Sequence, residues 1–194
     1  MLKKGCFNRL TGQQQQQFII KLSTNGGFSN KLQVIEMWKS KVKEGRKMEN
    51  KWIAIYYAVI EKLQQQGRPI GVFKSLHIKS YYVNGKGKHS AWQYHRHHID
   101  EIKISGAHLK EMPEYKTGIA IIVDFAEHLL LHYIIVMANT TSPNHGMYVS
   151  IENCKDKIGV WEEYAIEGCK RFGIEFDDSW RENLTLPSFY KGLW

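Results

Sequence analysis

Four of the nine histidines, His97 with His98 and His128 with His132, fall in two tight groups whose spacing suits chemistry. One group lies in the run Tyr94-His95-Arg96-His97-His98-Ile99, the other in Glu127-His128-Leu129-Leu130-Leu131-His132. The i,i+4 spacing puts His128 and His132 one turn apart on one helix face, so two imidazole nitrogens can reach one metal ion. The tandem His97-His98 pair supplies a third ligand and an unligated imidazole that exchanges protons near neutral pH. A Lewis acid beside a free base is the equipment for hydrolysing a phosphodiester. A structural role competes with this, because a single histidine on an apolar helix is commonly a packed core residue. Two of them among Leu129, Leu130, Leu131, Tyr133, Ile134 and Ile135 each need a partner once buried, and a shared ion satisfies both.

The flanking residues predict the elements that position these groups. Asp124 and Glu127 form a D-x-x-E pattern close to a capping box, which starts a helix at Phe125. The β-branched run at 119–123 predicts a buried strand feeding that helix. The helix should run to about Ala138, where Asn139, Pro143 and Asn144 supply stop and loop chemistry. Upstream, Leu76, Ile78 and Tyr82 alternate with His77, Lys79 and Tyr81, the pattern of a half-buried strand. Asn84-Gly85-Lys86-Gly87-Lys88 then makes a cationic turn, and a strand at 90–99 returns to the histidine pair. Asn-Gly alone is also an ordinary hairpin turn.

The order of these motifs resembles the HNH endonucleases, and more narrowly the phage-type and colicin-type members of the His-Me finger (ββα-metal) nucleases. The likeness rests on His97-His98-Ile99, Ser105-Gly106, Ile119-Ala120-Ile121-Ile122-Val123 and Glu127-His128-x-x-x-His132, over residues 94–136. It implies a divalent ion (zinc, manganese, nickel or magnesium) held by His97, His128 and His132. It also implies that His98 is the catalytic general base activating the attacking water. Three positions depart from the family pattern. Ile119 stands where the family carries its central asparagine, which orients the general base. Glu101 replaces a proline, and Ser105-Gly106 a double glycine.

Charge is divided along the chain. Residues 1–110 hold 20 Lys and Arg against 6 Asp and Glu, whereas residues 111–194 hold 7 against 13. A basic half of this kind fits a polyanion such as nucleic acid, and a merely solvated lysine-rich surface is the alternative. Lys79, Lys86, Lys88 and Arg96 are the candidate DNA contacts, lying on or near the strand that ends at the histidines. Further lysines (Lys39, Lys41, Lys43, Lys47, Lys51) accompany apolar residues at helical spacing at 32–42 and 52–63, the second helix closed by Gly67-Arg68-Pro69. Another helix is predicted at 161–172. Gln13 to Gln17 reads as a solvated polar tract, and Phe189, Tyr190, Leu193 and Trp194 as an aromatic tail packed on the core or on a second subunit.

No apolar segment reaches the roughly 20 residues of a membrane span, and no apolar stretch follows Met1-Leu2-Lys3-Lys4 as in an export signal. Cys6, Cys154 and Cys169 are odd in number and widely spaced, which fits a reducing cytoplasm and supplies no zinc knuckle. Phosphate-loop, dinucleotide and H-E-x-x-H signatures are missing. The expected protein is therefore α+β, with a ββα-metal core at 94–138, a basic region at 1–93 for DNA contact and a helical extension at 139–194. Its expected activity is metal-dependent cleavage of double-stranded DNA, of restriction or phage/homing type, the extensions docking DNA or building a homodimer. The alternative is a non-catalytic DNA-binding protein with a degenerate or structural finger.

Overall fold

The computed structural model describes residues 40, 50–87, 91–146 and 157–185. The expectations for the helix at 32–42, the glutamine tract, Lys39, Lys41, Lys43, Lys47, Lys88, Cys6, Cys154 and the aromatic tail fall outside these residues. Helices α1 (Lys51–Gln65), α2 (Gly106–Leu109), α3 (Phe125–Ala138), α4 (Lys157–Phe172) and α5 (Trp180–Asn183) accompany strands β1 (Ile70–Val72), β2 (Tyr94–His98) and β3 (Ile119–Asp124). The class is α+β, a small antiparallel sheet with helices.

Local chemistry explains α3. The Asp124 carboxylate accepts from the Glu127 N–H at 2.9 Å, and the Glu127 carboxylate accepts from the Asp124 N–H at 2.8 Å. This reciprocal capping box is the one expected from the sequence. Asn139 ends the helix in the left-handed conformation at φ 48°, a common helix stop. Every residue between is buried, so α3 is enclosed on all sides and central to the core. The helices α1 and α4 pack against it. Asn50 caps α1 by accepting from the Trp52 N–H at 3.0 Å, and its amide donates to Ala138 O at 2.9 Å, tying the start of α1 to the end of α3.

In the sheet, β3 lies between β1 and β2 and is antiparallel to both. The register sets His97 opposite Ile121 and His98 opposite Ala120. Because β3 runs directly into α3, the strand with the tandem histidines is held beside the helix with the spaced pair.

Two sequence expectations are corrected. Residues 76–82 are not a strand; 3-10 turns occupy Phe73–Ser75 and Ile78–Ser80. Their alternating apolar residues are satisfied locally, with Phe73 and Leu76 packed on Ala120 and Ile122 and flanked by Ile78 and Tyr82. The strand expected at 90–99 begins only at Tyr94. At that point the Asn84 side chain takes both Tyr94 backbone groups, at 2.9 and 3.0 Å, in place of a neighbouring strand. Only an isolated bridge between Lys86 and Trp92 precedes it among the described residues. Strand β1 was not anticipated. Gly67-Arg68-Pro69 does close α1, but Arg68 reaches on to Glu127 at 2.7 Å and Asp124 at 3.0 Å, clamping the start of α3.

Candidate metal centre

The rings of His97, His128 and His132 meet in the interior. Their centroids are 5.0, 5.1 and 4.9 Å apart, and their ligand nitrogens all lie within 4.8 Å of one another. Imidazoles bound tetrahedrally to one ion at about 2.0–2.1 Å per bond have ring centres about 5 Å apart and nitrogens about 3.3 Å apart. The Nε2 atoms of His128 and His132 are 3.2 Å apart. Two such nitrogens at that range need a proton or a cation between them. The three sequence-predicted ligands are thus brought together, close enough to hold one metal ion.

Two of the rings are oriented by other segments. The backbone at Gly146 approaches His132 so closely that a Cβ there would overlap its Nδ1, which turns Nε2 towards His128. His97 is oriented from α1, where the Tyr56 hydroxyl lies 2.7 Å from its Nε2 and 3.2 Å from Ile99 O. Burial holds this phenol well above its usual pKa, so it keeps its proton. Given to Ile99 O, that proton leaves the phenol oxygen to accept from the His97 Nε2–H. The lone pair is then on Nδ1, which is buried without a hydrogen-bond partner. Tyr56→Phe should therefore weaken metal binding about 10- to 100-fold, read by competition with a chromogenic chelator. Unchanged affinity would remove Tyr56 from this role.

Burial, reinforced by the neighbouring imidazoles, drives His97 and His128 well below the ordinary histidine range. His132 is pushed down to about 3 by burial first, with the His145 and His95 imidazoles and the Lys110 ammonium adding to it. All three are neutral at physiological pH, the form that ligates.

His98 turns to the other side of β2, as strand alternation requires. Its ring stacks on Phe73 at 4.2 Å and lies 4.7 Å from Tyr115. A Cβ at Gly118 would come within 3.2 Å of its Nδ1. Aromatic packing thus fixes this ring in a chain that has Ile119 at the neighbouring position. His98 nevertheless lines the same cleft as His128 and His132, a cavity of about 190 Å³ also walled by Arg96, Glu101, Lys110, Tyr115 and His145. That is smaller than the roughly 300–1,000 Å³ of drug-sized sites and suits a compact anionic group.

Of the expected DNA contacts, Arg96 reaches this cleft; it donates to Phe73 O at 2.9 Å and lies 3.9 Å from the Phe73 ring centre. Lys79 and Lys86 are exposed on the preceding segment. Sequence reasoning did not assign roles to Tyr56, Lys110 and His95. His95 shares a face with His97, a two-residue spacing legible in a strand, and its ring is 5.0 Å from that of His128. Glu101, noted only as a departure from the family pattern, places an oxygen 3.6 Å from His132 Nε2 and is raised to about 7 by burial. No family model, curated protein or solved structure matches this chain.

Proposed function

We propose that the protein is a metal-dependent endonuclease of the HNH type that hydrolyses phosphodiester bonds in DNA. The observation that carries this reading is the cluster of three buried neutral imidazoles, two of which, His128 and His132, line a cleft shared with His98, Arg96 and Lys110. The residues fit a divalent ion by their spacing and by the orphaned His97 Nδ1. Such an ion, held by His97, His128 and His132, supplies Lewis acidity towards the phosphate and the leaving oxygen. The protein's own contribution follows from the cleft. Arg96 and Lys110 attract and orient the anionic phosphate. His98, fixed between Phe73, Tyr115 and Gly118, takes the proton from the attacking water. Glu101 accepts the His98 backbone N–H and steadies the end of β2.

Supercoiled plasmid incubated with the purified chain and manganese, zinc, nickel, cobalt or magnesium should be nicked or linearised, and a chelator should stop it. Binding should weaken with salt, each phosphate contact adding about 0.9 to the slope of log affinity against log salt. The second reading, a DNA-binding protein without activity, draws on Ile119, which offers no polar group where the family carries asparagine. Salt-dependent binding without cleavage under every ion would favour it; binding indifferent to salt would count against both.

A further inference from the structure

The segment between α1 and the histidine pair carries a surface feature that the metal centre does not use. Residues 62–99 hold seven Lys and Arg and not one Asp or Glu. Within it, Trp92 is 47% exposed and Tyr81 54% exposed. Beside Trp92 is a shallow depression lined by Phe73, Ile78, Lys79, Tyr94, His95 and Arg96. The Lys86 ammonium stands 5.2 Å from the Trp92 ring centre. Arg96 belongs to the rims of both this depression and the metal cleft, so the two are adjacent along β2.

We propose that this ledge binds a nucleic-acid strand through an unpaired base stacked on Trp92, with the backbone passing Arg96 into the histidine cleft. The chemistry selects that occupant. In a duplex both faces of each base are covered by its neighbours, so an exposed indole gains a stacking contact only from a base that is unpaired or splayed out. Every base offers a π-face, so the contact carries no sequence preference. Lys79, Lys86 and Arg96 supply charge for the adjoining phosphates, and the lack of carboxylates across the segment removes local repulsion. Tyr82 and Tyr94 stack on each other at 4.2 Å and Phe73 on His98, and the exposed Tyr81 does not line the depression. Trp92 is the platform. The proposal rests on the nuclease reading only for where the strand leads, and it narrows the substrate to DNA that is single-stranded, frayed or distorted at the cut.

Fluorescence anisotropy in chelator, where cleavage cannot intervene, tests the ledge alone. The full chain is titrated into a labelled single-stranded oligonucleotide and into the same sequence as a blunt duplex. The single strand should bind more tightly. Trp92→Ala should weaken it by roughly 5- to 150-fold, the effect of losing one stacked base, with little change on the duplex. Trp92→Tyr should restore most of the affinity, which separates stacking from a folding defect, and Lys79→Ala should lower the salt slope. Equal affinity for both forms, or a Trp92→Ala loss that is nil or equal on both, would overturn the proposal. A Trp92 effect without cleavage of plasmid or of single-stranded DNA under any ion would leave the ledge standing and remove the nuclease; cleavage with no Trp92 effect would do the reverse.

Discussion

On the nuclease reading, His98→Ala should lower the rate of DNA cleavage by a factor of about 10²–10⁴ while metal content and nucleic-acid affinity stay close to those of the unaltered chain. The expectation follows from the division of labour across β2. His97 faces α3 and the other two clustered histidines, whereas His98 faces Phe73 and Tyr115. Removing the second ring deletes a proton acceptor from the cleft without touching the ligand set. Phe73→Leu should give a smaller loss of the same kind, since it loosens the ring and leaves its nitrogens in place. Metal analysis and single-turnover cleavage, run on His97→Ala and His98→Ala together, separate the roles. If His98→Ala loses the metal and His97→Ala keeps it, the two residues have been assigned the wrong way round. Undiminished cleavage in both would end the nuclease reading.

Helix α3 is legible in the sequence because its signals are local. The Asp124-Glu127 box, the apolar run and Asn139 all act within one helix, and the four-residue spacing fixes where His128 and His132 point. Strand β3 is legible for the same reason. What escapes depends on contacts between distant segments. Tyr56 reaches His97 across 41 residues, and nothing about α1 by itself says that its phenol will meet an imidazole. Arg68 reads as a helix terminator, yet its guanidinium becomes the clamp on Asp124 and Glu127. The alternation at 76–82 misleads because a period of two shows only that alternate residues are buried. Phe73 and Leu76 achieve this through 3-10 turns over Ala120 and Ile122, with no ladder of strand hydrogen bonds. Strand β1 is three half-buried residues long, too short to carry a period.

A divalent ion that binds the three histidines should raise the melting temperature of the chain, and the metal-free chain should lose stability as the pH falls below about 6.5. At an ion concentration about 100 times Kd the gain is about 2.7 kcal/mol, or roughly 5–10 °C for a chain of this size. The acid dependence follows from burial. His97, His128 and His132 have folded-state values below the ordinary 6.5, His132 at about 3. Above pH 6.5 both folded and unfolded chains carry them neutral. As the pH falls, the unfolded chain takes up protons first, so stability drains away until the folded values are passed. Glu101 works in the opposite sense. Burial raises it from 4.5 to about 7, so its stabilising effect is complete below pH 4.5 and is lost as the pH rises through 7. Three histidines outweigh one carboxyl between pH 4.5 and 6.5, and the net slope there is towards acid instability. His128→Leu tests both halves, because leucine fills similar space and neither ligates nor titrates. Its acid slope should be shallower and its response to the ion absent. An ion-induced shift undiminished in His128→Leu would place the bound metal elsewhere, and no shift with any divalent ion in the unaltered chain would leave the three imidazoles as core packing alone.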